Sequence, residues 1–415
     1  MPEESSREKR VRVPMTGGLR TLKRTALDSR RIPAQCPAGR FWDWHRRIPA
    51  DVLSSGPLPP PAHGASIIHQ QVIRLLRARG TEVSVSDVSG GDSIGLSYHL
   101  KRLLAHGTTL ISVMVNPKRS GLGLYVTGAG GGLIWLQAFL VGAARIRRLS
   151  IVYHHHSYSY LTRAATSMKL LTRLGGSQVT HVVLSPVMAT ELRAQYPHAS
   201  CVSVCSNRAF LSPAGTVDSV NDETVAESGP HKDLPVLLGH MSNLSFEKGL
   251  EVVLQTFASV SSQGIPVELI LAGPFADERA AERISSIVGS ETSALHYRGP
   301  LDRQGVSDFM SSIDIFLFPS RYRNEAEPLV VLEALQAGVP VVAFDVGCLK
   351  SVLEGDKYLA ASQEEYLNKS SALVGDASTF KTRRERQLFL GRVAHAQLNR
   401  FGPSDPRVIV DGLTK

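Results

Sequence analysis

The sequence predicts an α/β protein made of two Rossmann-like, doubly wound domains that face each other across a cleft. From residue 50 onward, short apolar runs alternate with helical stretches, which is typical of a parallel sheet covered by helices on both faces. The alternation stops in residues 211–233, which are rich in Ser, Asp, Glu, Gly and Pro, and it then starts again. Such an aperiodic segment indicates a linker between two domains.

The first half of the chain contains six predicted strands, at residues 50–56, 81–88, 108–115, 123–128, 149–156 and 180–186. The second of these alternates strictly between apolar and polar residues. Helices are predicted at 67–80, 132–144 and 187–196; Gly80 is the expected stop of the first and Pro186 the residue that opens the third.

The second half repeats the pattern, with predicted strands at residues 234–242, 267–274, 295–301, 314–320 and 339–345. Helices are predicted at 248–264, 277–289 and 304–313, and a further helix runs from Pro328, at its first position, to Gly338, at its stop. Residues 378–401 predict an amphipathic helix that docks back across the domains.

These elements predict five regions along the chain. They are a basic, disordered leader (1–47), an N-terminal acceptor domain (48–210), a linker (211–233), a C-terminal donor domain (234–385) and a C-terminal helix that crosses back to the first domain (386–415). Because open α/β sheets bind ligands beyond the carboxyl ends of their strands, the cleft between the domains is the expected site.

Composition narrows the class of protein. The net charge is +9, but residues 1–50 hold twelve Lys or Arg against five Asp or Glu, which leaves +2 for the rest. This distribution argues against a nucleic-acid partner, which requires basic residues on a folded face. The leader is expected to be solvated, with attraction to an anionic membrane surface as the alternative. It lacks an apolar core of signal-peptide length, and the longest apolar run, residues 131–144, is too short to span a bilayer. We therefore expect a cytoplasmic protein, with peripheral contact at the inner membrane face as the alternative.

Two glutamates, Glu325 and Glu333, flank the helix that is predicted to start at Pro328. The free amides of Leu329 and Val330 at that start would form an anion pocket, which the helix dipole reinforces. Carboxylates on either side of it suit hydrogen bonds from vicinal hydroxyls. A ligand with a sugar, a diphosphate and a ribose in line would satisfy all three elements, although each glutamate alone could equally be a solvated charge.

Three consecutive histidines, His154 to His156, end the strand predicted at 149–156. On an extended strand only His154 and His156 share a face, and the sequence places no carboxylate or cysteine beside them to complete a metal site. Cys201 and Cys205 likewise have no second pair of ligands nearby in the sequence. We therefore expect no metal and no other cofactor.

The segment FPSRYRNEAEPLVVLEALQAGVPVVAFDVG resembles the donor site of glycosyltransferase family 4. The pattern of two glutamates eight positions apart, followed by Glu-Ala, Gly and Pro-Val, is matched by Glu325, Glu333, Gly338 and Pro340. The family often has Gly-Phe-Gly between the glutamates, whereas this chain has Ala326, Glu327 and Pro328. For the extra charge of Glu327, the expectation is stabilisation of the first helical turn.

The resemblance covers nearly all of residues 50–400 and implies the GT-B fold and further site residues. It places Lys248 on the donor phosphates and Arg298 near the nucleobase, and it places Gly64 in the loop that approaches the sugar. The arginine that commonly follows the strand glycine is absent, and His240 and Asn243 occupy this segment. Arg321 and Arg323 are candidates to replace its charge. The resemblance also implies a histidine close to the transferring sugar, for which His156 is the first candidate and His154 the second.

By resemblance, the chain is expected to be a retaining, metal-independent hexosyltransferase. It would move a sugar from a nucleoside-diphosphate sugar to a hydroxyl of a glycan or glycolipid. Lys248 and Glu325 join the histidines as expected catalytic residues; Pro328, Leu329, Val330 and Glu333 complete the expected donor site. Two alternatives remain: a sugar-nucleotide epimerase on the same fold, and a non-catalytic protein that binds nucleotide-sugars.

Overall fold

The structure is a computed structural model. It describes residues 51–60, 63–90, 96–116, 122–128, 130–211, 234–288, 294–353, 355–402 and 404–414. The expected leader and nearly all of the expected linker lie outside the described residues.

The strands form two parallel sheets, one in each half of the chain. The first contains β1 (Asp51–Gly56), β2 (Glu82–Asp87), β3 (Leu122–Gly128), β4 (Ser150–His155), β5 (Val179–Val183) and β6 (Cys201–Val204). The second contains β7 (Val236–Met241), β8 (Val267–Ala272), β9 (Leu295–Tyr297), β10 (Ile315–Phe318), β11 (Val341–Phe344) and β12 (Leu359–Ala360). Their spatial orders are β2-β1-β3-β4-β5-β6 and β12-β11-β10-β7-β8-β9, so the predicted pair of α/β domains is confirmed.

Helices cover both sheets. In the first half they are α1 (Gly64–Ala78), α2 (Leu96–Val115), α3 (Leu133–Ile146), α4 (Ser159–Thr162), α5 (Thr166–Gly175) and α6 (Pro186–Gln195). In the second half they are α7 (Leu250–Ser262), α8 (Glu278–Val288), α9 (Arg303–Ser312), α10 (Leu329–Gln336), α11 (Leu349–Val352), α12 (Gln363–Ser378), α13 (Arg383–Asn399) and α14 (Arg407–Leu413). As far as the structure describes the chain, none of these helices is both long and apolar enough to cross a membrane.

The core of each domain lies on both faces of its sheet. Every residue of β3, β5, β10 and β11 is buried, as expected for central strands between two helical layers. The strand order reverses between β1 and β3 in one sheet and between β7 and β10 in the other. At these points neighbouring chain crossovers leave to opposite faces, and a crevice opens at the carboxyl edge of the sheet.

One strand prediction was wrong. Residues 108–115 form the last two turns of α2 rather than a strand. The run contains Ile111, Val113 and Val115 and resembles a buried strand when it is taken alone. It continues a helix of twenty residues that leaves most of its large apolar side chains exposed and buries His106 and Thr109, so its apolar residues do not mark the buried face.

Two helix starts also differ from expectation. Helix α1 begins at Gly64, three residues before the predicted start, because His63 caps it in a reciprocal hydrogen-bonding arrangement with Ser66. Pro328 is the N-cap of α10, with an extended ψ of 122°, and not its first helical residue. The predicted stop is confirmed: Gly338, two residues after α10, has a φ of +79°.

The chain contacts the first domain again within the region 386–415: Leu398 O, near the end of α13, accepts from Nη1 of Arg208 at 3.2 Å, and α14 follows. Within α13, Arg386 anchors the helix to the second sheet by an ion pair with Asp314 at 3.1 Å. Gly412 of α14 lies against Val152 and Thr180 of the first sheet, so closely that a Cβ there would meet both. The amphipathic pattern predicted for residues 378–401 was wrong, since α13 carries no strong apolar stripe.

Candidate active site

An ion pair joins the two predicted catalytic residues of the second domain. Lys248, just before α7, places Nζ 2.5 Å from Oε2 of Glu325, and Oγ of Ser320 donates to the same oxygen at 3.1 Å. The side chains are 22% and 12% exposed. The ammonium also lies 4.4 Å from the centre of the Tyr322 ring. Ser320 and Tyr322 therefore both contact this ion pair, which remains accessible to solvent.

The position of Lys248 depends on the glycine that follows it. Gly249 has a φ of +88°, which residues with a Cβ rarely adopt. A Cβ there would overlap the carbonyl oxygen of Pro319, at the end of β10. The turn thus brings Lys248 close to the loop that carries Glu325.

The same loop contacts the first domain through Asn324. Its Nδ2 donates to the Tyr322 hydroxyl at 3.0 Å, and its Oδ1 accepts from Oγ of Ser157 at 3.3 Å. Ser157 follows the three histidines, and Gly130 packs against both Ser157 and Asn324. Asn324 therefore connects Ser157, which follows the three histidines, to Tyr322, whose ring contacts the Lys248 ammonium.

Glu327 forms a second link between the domains. Its Oε2 accepts from Oγ of Ser206 at 3.0 Å and from the amide of Asn207 at 2.5 Å. Asn207 Nδ2 donates to the Glu327 carbonyl at 2.9 Å. The residue is 5% exposed, and this burial raises the pKa of Glu327 to about 8 although the two donors lower it. The expectation that Glu327 stabilises the first helical turn was wrong: its carboxyl group is a hydrogen-bonded contact with the other domain.

The N-termini of two helices, one from each domain, meet in the cleft. A Cβ built on Gly64 would lie 3.7 Å from Cγ of Leu329, so the first residues of α1 and α10 face each other. Neither helix carries an acidic residue in its first turn. In α10 the amides of Val331 and Leu332 are the first to donate within the helix, both to the carbonyl oxygen of Pro328. The amides of Leu329 and Val330 precede these helical hydrogen bonds. Both helix dipoles therefore favour an anion between them.

The predicted pair of histidines shares one face of β4. The rings of His154 and His156 lie 4.2 Å apart, whereas His155 turns to the opposite face, where it contacts Tyr160 and His181. Nδ1 of His154 lies 2.8 Å from the Tyr125 hydroxyl. Within the described residues, Nε2 of His154 and Nε2 of His156 have no hydrogen-bond partner. Burial, with His69 and His63 nearby, lowers the pKa of His156 to about 3, so its imidazole is neutral at physiological pH.

His240 and Asn243 lie at the end of β7 but differ in exposure. His240 is fully buried; its Nδ1 is bonded to Leu317 O and its Nε2 to Oγ of Ser242, each at 2.9 Å. Burial lowers the pKa of His240 to about 4, and Lys248 adds to this effect. Because both of its ring nitrogens are hydrogen-bonded, His240 is better suited to orient Ser242 than to contact a nucleotide-sugar directly. Asn243 is exposed, two residues after β7.

The remaining predicted residues lie farther along the carboxyl edge of the second sheet. Arg298 is exposed after β9, at the sheet margin. Glu333 is half-buried in α10, and burial raises the pKa of its carboxyl group while Arg303 lowers it. Arg321 stacks its guanidinium 4.5 Å from the Phe344 ring, and Arg323 is exposed. The structure thus groups Lys248 with Glu325 and Gly64 with Leu329, but it places Arg298 apart from them.

No cluster of three or more metal-ligating side chains is found among the residues that the structure describes. Sequence reasoning missed two of the links between the domains, that of Asn324 with Ser157 and that of Glu327 with Ser206 and Asn207. The sequence signal that could have indicated these residues is their position, since both segments follow the carboxyl end of a strand.

The comparisons with known proteins agree with this architecture. Residues 235–376 match the family model "Glycosyl transferases group 1". Among solved structures, a sucrose-phosphate synthase from Thermosynechococcus elongatus superposes with a TM-score of 0.58 at 15% identity, over 85% of this chain and 94% of that one. Anabaena Alr3699/HepE, in complex with UDP and glucose, superposes with a TM-score of 0.55 at 18% identity, over 84% and 94%.

This chain has the GT-B fold. The predicted fold class is confirmed by these likenesses, which at such low identity concern the fold alone. In sequence, a D-inositol 3-phosphate glycosyltransferase from Jonesia denitrificans is 30% identical over 155 residues, which are 36% of this chain and 35% of that protein. The chain thus spans about a third of the length of that relative in the alignment.

Proposed function

We propose that this protein transfers a sugar from a nucleoside-diphosphate sugar to a hydroxyl group of a glycan or glycolipid. The observation that carries the proposal is the meeting of two acid-free helix N-termini, at Gly64 and Leu329, in the cleft that also contains Lys248 and His156. The match of residues 235–376 to group 1 glycosyl transferases supports the same class.

The diphosphate would lie between the two helix ends. Charge grows on it as the sugar leaves, and fixed amides and an ammonium stabilise that charge without reorganising. Lys248 is already bonded to Glu325, so a bound phosphate would share the ammonium with that carboxylate. We propose that these protein groups provide the charge stabilisation without a metal or other cofactor.

The hydroxyls of the donor would be recognised by carboxylates and an imidazole. Glu325 lies just before α10 and Glu333 on its second turn, on either side of the helix start. The free Nε2 of a neutral His156 can either donate or accept a hydrogen bond at a sugar hydroxyl or the leaving oxygen. Because no nucleophile is assigned, we propose front-face attack with retention of configuration.

The binding step is tested first, by thermal shift against a panel of UDP- and GDP-sugars. A ligand at a hundred times its Kd stabilises the folded state by about 2.7 kcal/mol. We expect one nucleotide class to raise the melting temperature of the wild type, and Lys248→Met to lose most of that shift. Lys357→Met, which removes a lysine that is 65% exposed, is the matched control. Equal shifts in all three proteins would contradict the assigned site.

The transfer step is tested with the donor so identified and an acceptor panel. We expect Lys248→Met to lower kcat by about 10²- to 10³-fold, the usual effect of removing one preorganised charge-stabilising group. Nuclear magnetic resonance of the product would show its anomeric configuration; an inverted product rules out retention. Release of an epimerised sugar nucleotide without an acceptor would indicate an epimerase, and binding without turnover would indicate a non-catalytic protein.

A further inference from the structure

Exposed apolar side chains are concentrated on two adjacent helices of the first domain. Of the twelve large apolar side chains that are exposed among the described residues, nine belong to α2 or α3. On α2 they are Leu100, Leu103, Leu104, Ile111, Met114 and Val115. On α3 they are Trp135, Phe139 and Ile146. We call this surface the α2–α3 face. Contiguous apolar patches of this kind mark interaction sites, whereas scattered apolar residues do not.

The spacing of these residues places them in stripes. Positions 100, 104, 111 and 115 follow the three-to-four-residue repeat of one helical face, and so do positions 135, 139 and 146. Helices α2 and α3 pack against each other, so the two stripes belong to one surface. Helix α3 starts after the carboxyl end of β3, through the Gly130 turn that touches Asn324. The Trp135 end of the face therefore borders the cleft.

The charged residues on the two helices and in the chain that follows them are of one sign. Residues 93–190 contain ten Lys or Arg and no Asp or Glu. Lys101, one turn before Leu104, and Arg148, just after α3, are exposed. The near-neutral balance of the folded part hides this asymmetry: residues 51–211 carry a net charge of +10 and residues 212–415 one of −8.

This charge selects among the candidates that could cover the face. The first 50 residues carry +7 and would be repelled by the basic surroundings, and a second copy would bring together two surfaces of the same sign. An anionic phospholipid bilayer supplies both an apolar boundary and opposite charge.

We propose that the α2–α3 face docks this protein on an anionic phospholipid membrane. The apolar stripes enter the boundary between headgroups and acyl chains, and Lys101 and Arg148 contact the lipid phosphates. Docking in this orientation brings the cleft close to the bilayer surface. The proposal does not depend on the transferase activity, because membrane binding is measured without any substrate.

The test is co-sedimentation of the full chain with vesicles. One set contains equal parts of phosphatidylglycerol and phosphatidylcholine, and the other contains phosphatidylcholine only. We expect binding to the anionic set, weakened by salt because surface charges are screened. The double variant Trp135→Ser, Phe139→Ser should lower the partition coefficient at least about tenfold, since each ring loses most of its burial in the bilayer.

Two further variants separate charge from apolar contact. Lys101→Gln combined with Arg148→Asn should lower binding to anionic vesicles about fivefold per residue; asparagine tolerates the φ of +58° at position 148. Leu388→Ser on α13, which removes a side chain that is 49% exposed in the other domain, should bind like the wild type. Circular dichroism confirms that each variant is folded.

Three outcomes would overturn the proposal. They are equal vesicle binding by the wild type and the Trp135→Ser, Phe139→Ser variant, equal binding to neutral and anionic vesicles, and absence of vesicle binding by the wild type. In the last case, analytical ultracentrifugation that shows a wild-type dimer and a monomeric double variant would assign the face to a second copy of the chain.

Discussion

Replacement of Glu327 by glutamine tests the buried contact between the domains. Oε2 of Glu327 accepts from Ser206 and Asn207, while Oε1 has no partner among the described residues. Glutamine keeps one acceptor oxygen for both donors and places its amide nitrogen at the unpaired position. It therefore imitates the protonated acid and removes only the titration.

The size of the effect follows from the pKa of Glu327. Burial raises that pKa to about 8 from an ordinary value of 4.5, so the folded state holds its proton where the unfolded state has already released it. Between these two values each pH unit lowers the free energy of unfolding by about 1.4 kcal/mol. From pH 5 to pH 8 the wild type loses about 4 kcal/mol through this group alone. The contribution is complete at low pH and is lost as pH rises toward the folded-state pKa.

The assay is thermal unfolding of wild type and Glu327→Gln across this pH range. We expect the two proteins to melt together near pH 5 and the variant to melt several degrees higher near pH 8, since 1 kcal/mol moves the melting temperature of a domain of roughly 150 to 250 residues by about 2 to 4 °C. Glu364→Gln, an exposed carboxylate on α12, is the control. A constant offset between wild type and Glu327→Gln at every pH would refute the assignment of a titrating buried acid.

Three further substitutions test contacts that hold the site. Gly249→Ala should lower the free energy of unfolding by about 2 kcal/mol or more, because φ is positive and the new Cβ meets Pro319. Urea denaturation compares it with Gly264→Ala, where φ is also positive but the Cβ enters open space. Equal losses in the two variants would contradict the predicted clash with Pro319. Arg386→Met should lower the free energy of unfolding by about 3 to 5 kcal/mol in the same assay, because it leaves Asp314 charged and buried without its partner. Adding Asp314→Leu should restore part of this stability. If Arg386→Met alone left stability unchanged, the ion pair would not contribute to it. Asn324→Ala should lower stability by about 1 to 2 kcal/mol through its two lost hydrogen bonds, and an unchanged urea midpoint would remove Asn324 as a link between the domains.

The order of strands and helices was largely readable from the sequence. Where a strand is buried on both faces, as in β7 or β10, its residues form a continuous apolar run with loop residues on either side, and the prediction held. It failed at residues 108–115, because most large apolar side chains of α2 are exposed, whereas His106 and Thr109 are buried. The apolar stripe of this helix faces away from the sheet, so it does not indicate which side chains are buried. That exposed stripe is also the basis of the proposed membrane contact.

The expected alternation of the three histidines was confirmed, because strand geometry alone turns His155 away from its neighbours. What the sequence determined by itself was local: apolar period, the glycine that ends α10, and the residue types gathered at strand ends. Only the tertiary structure decided that Glu327 pairs with Asn207, that Lys248 meets Glu325, and that Gly64 faces Leu329. Those partners are between 77 and 265 positions apart in the chain, and their contact depends on how two separately folded sheets are oriented, which no local pattern of residues encodes.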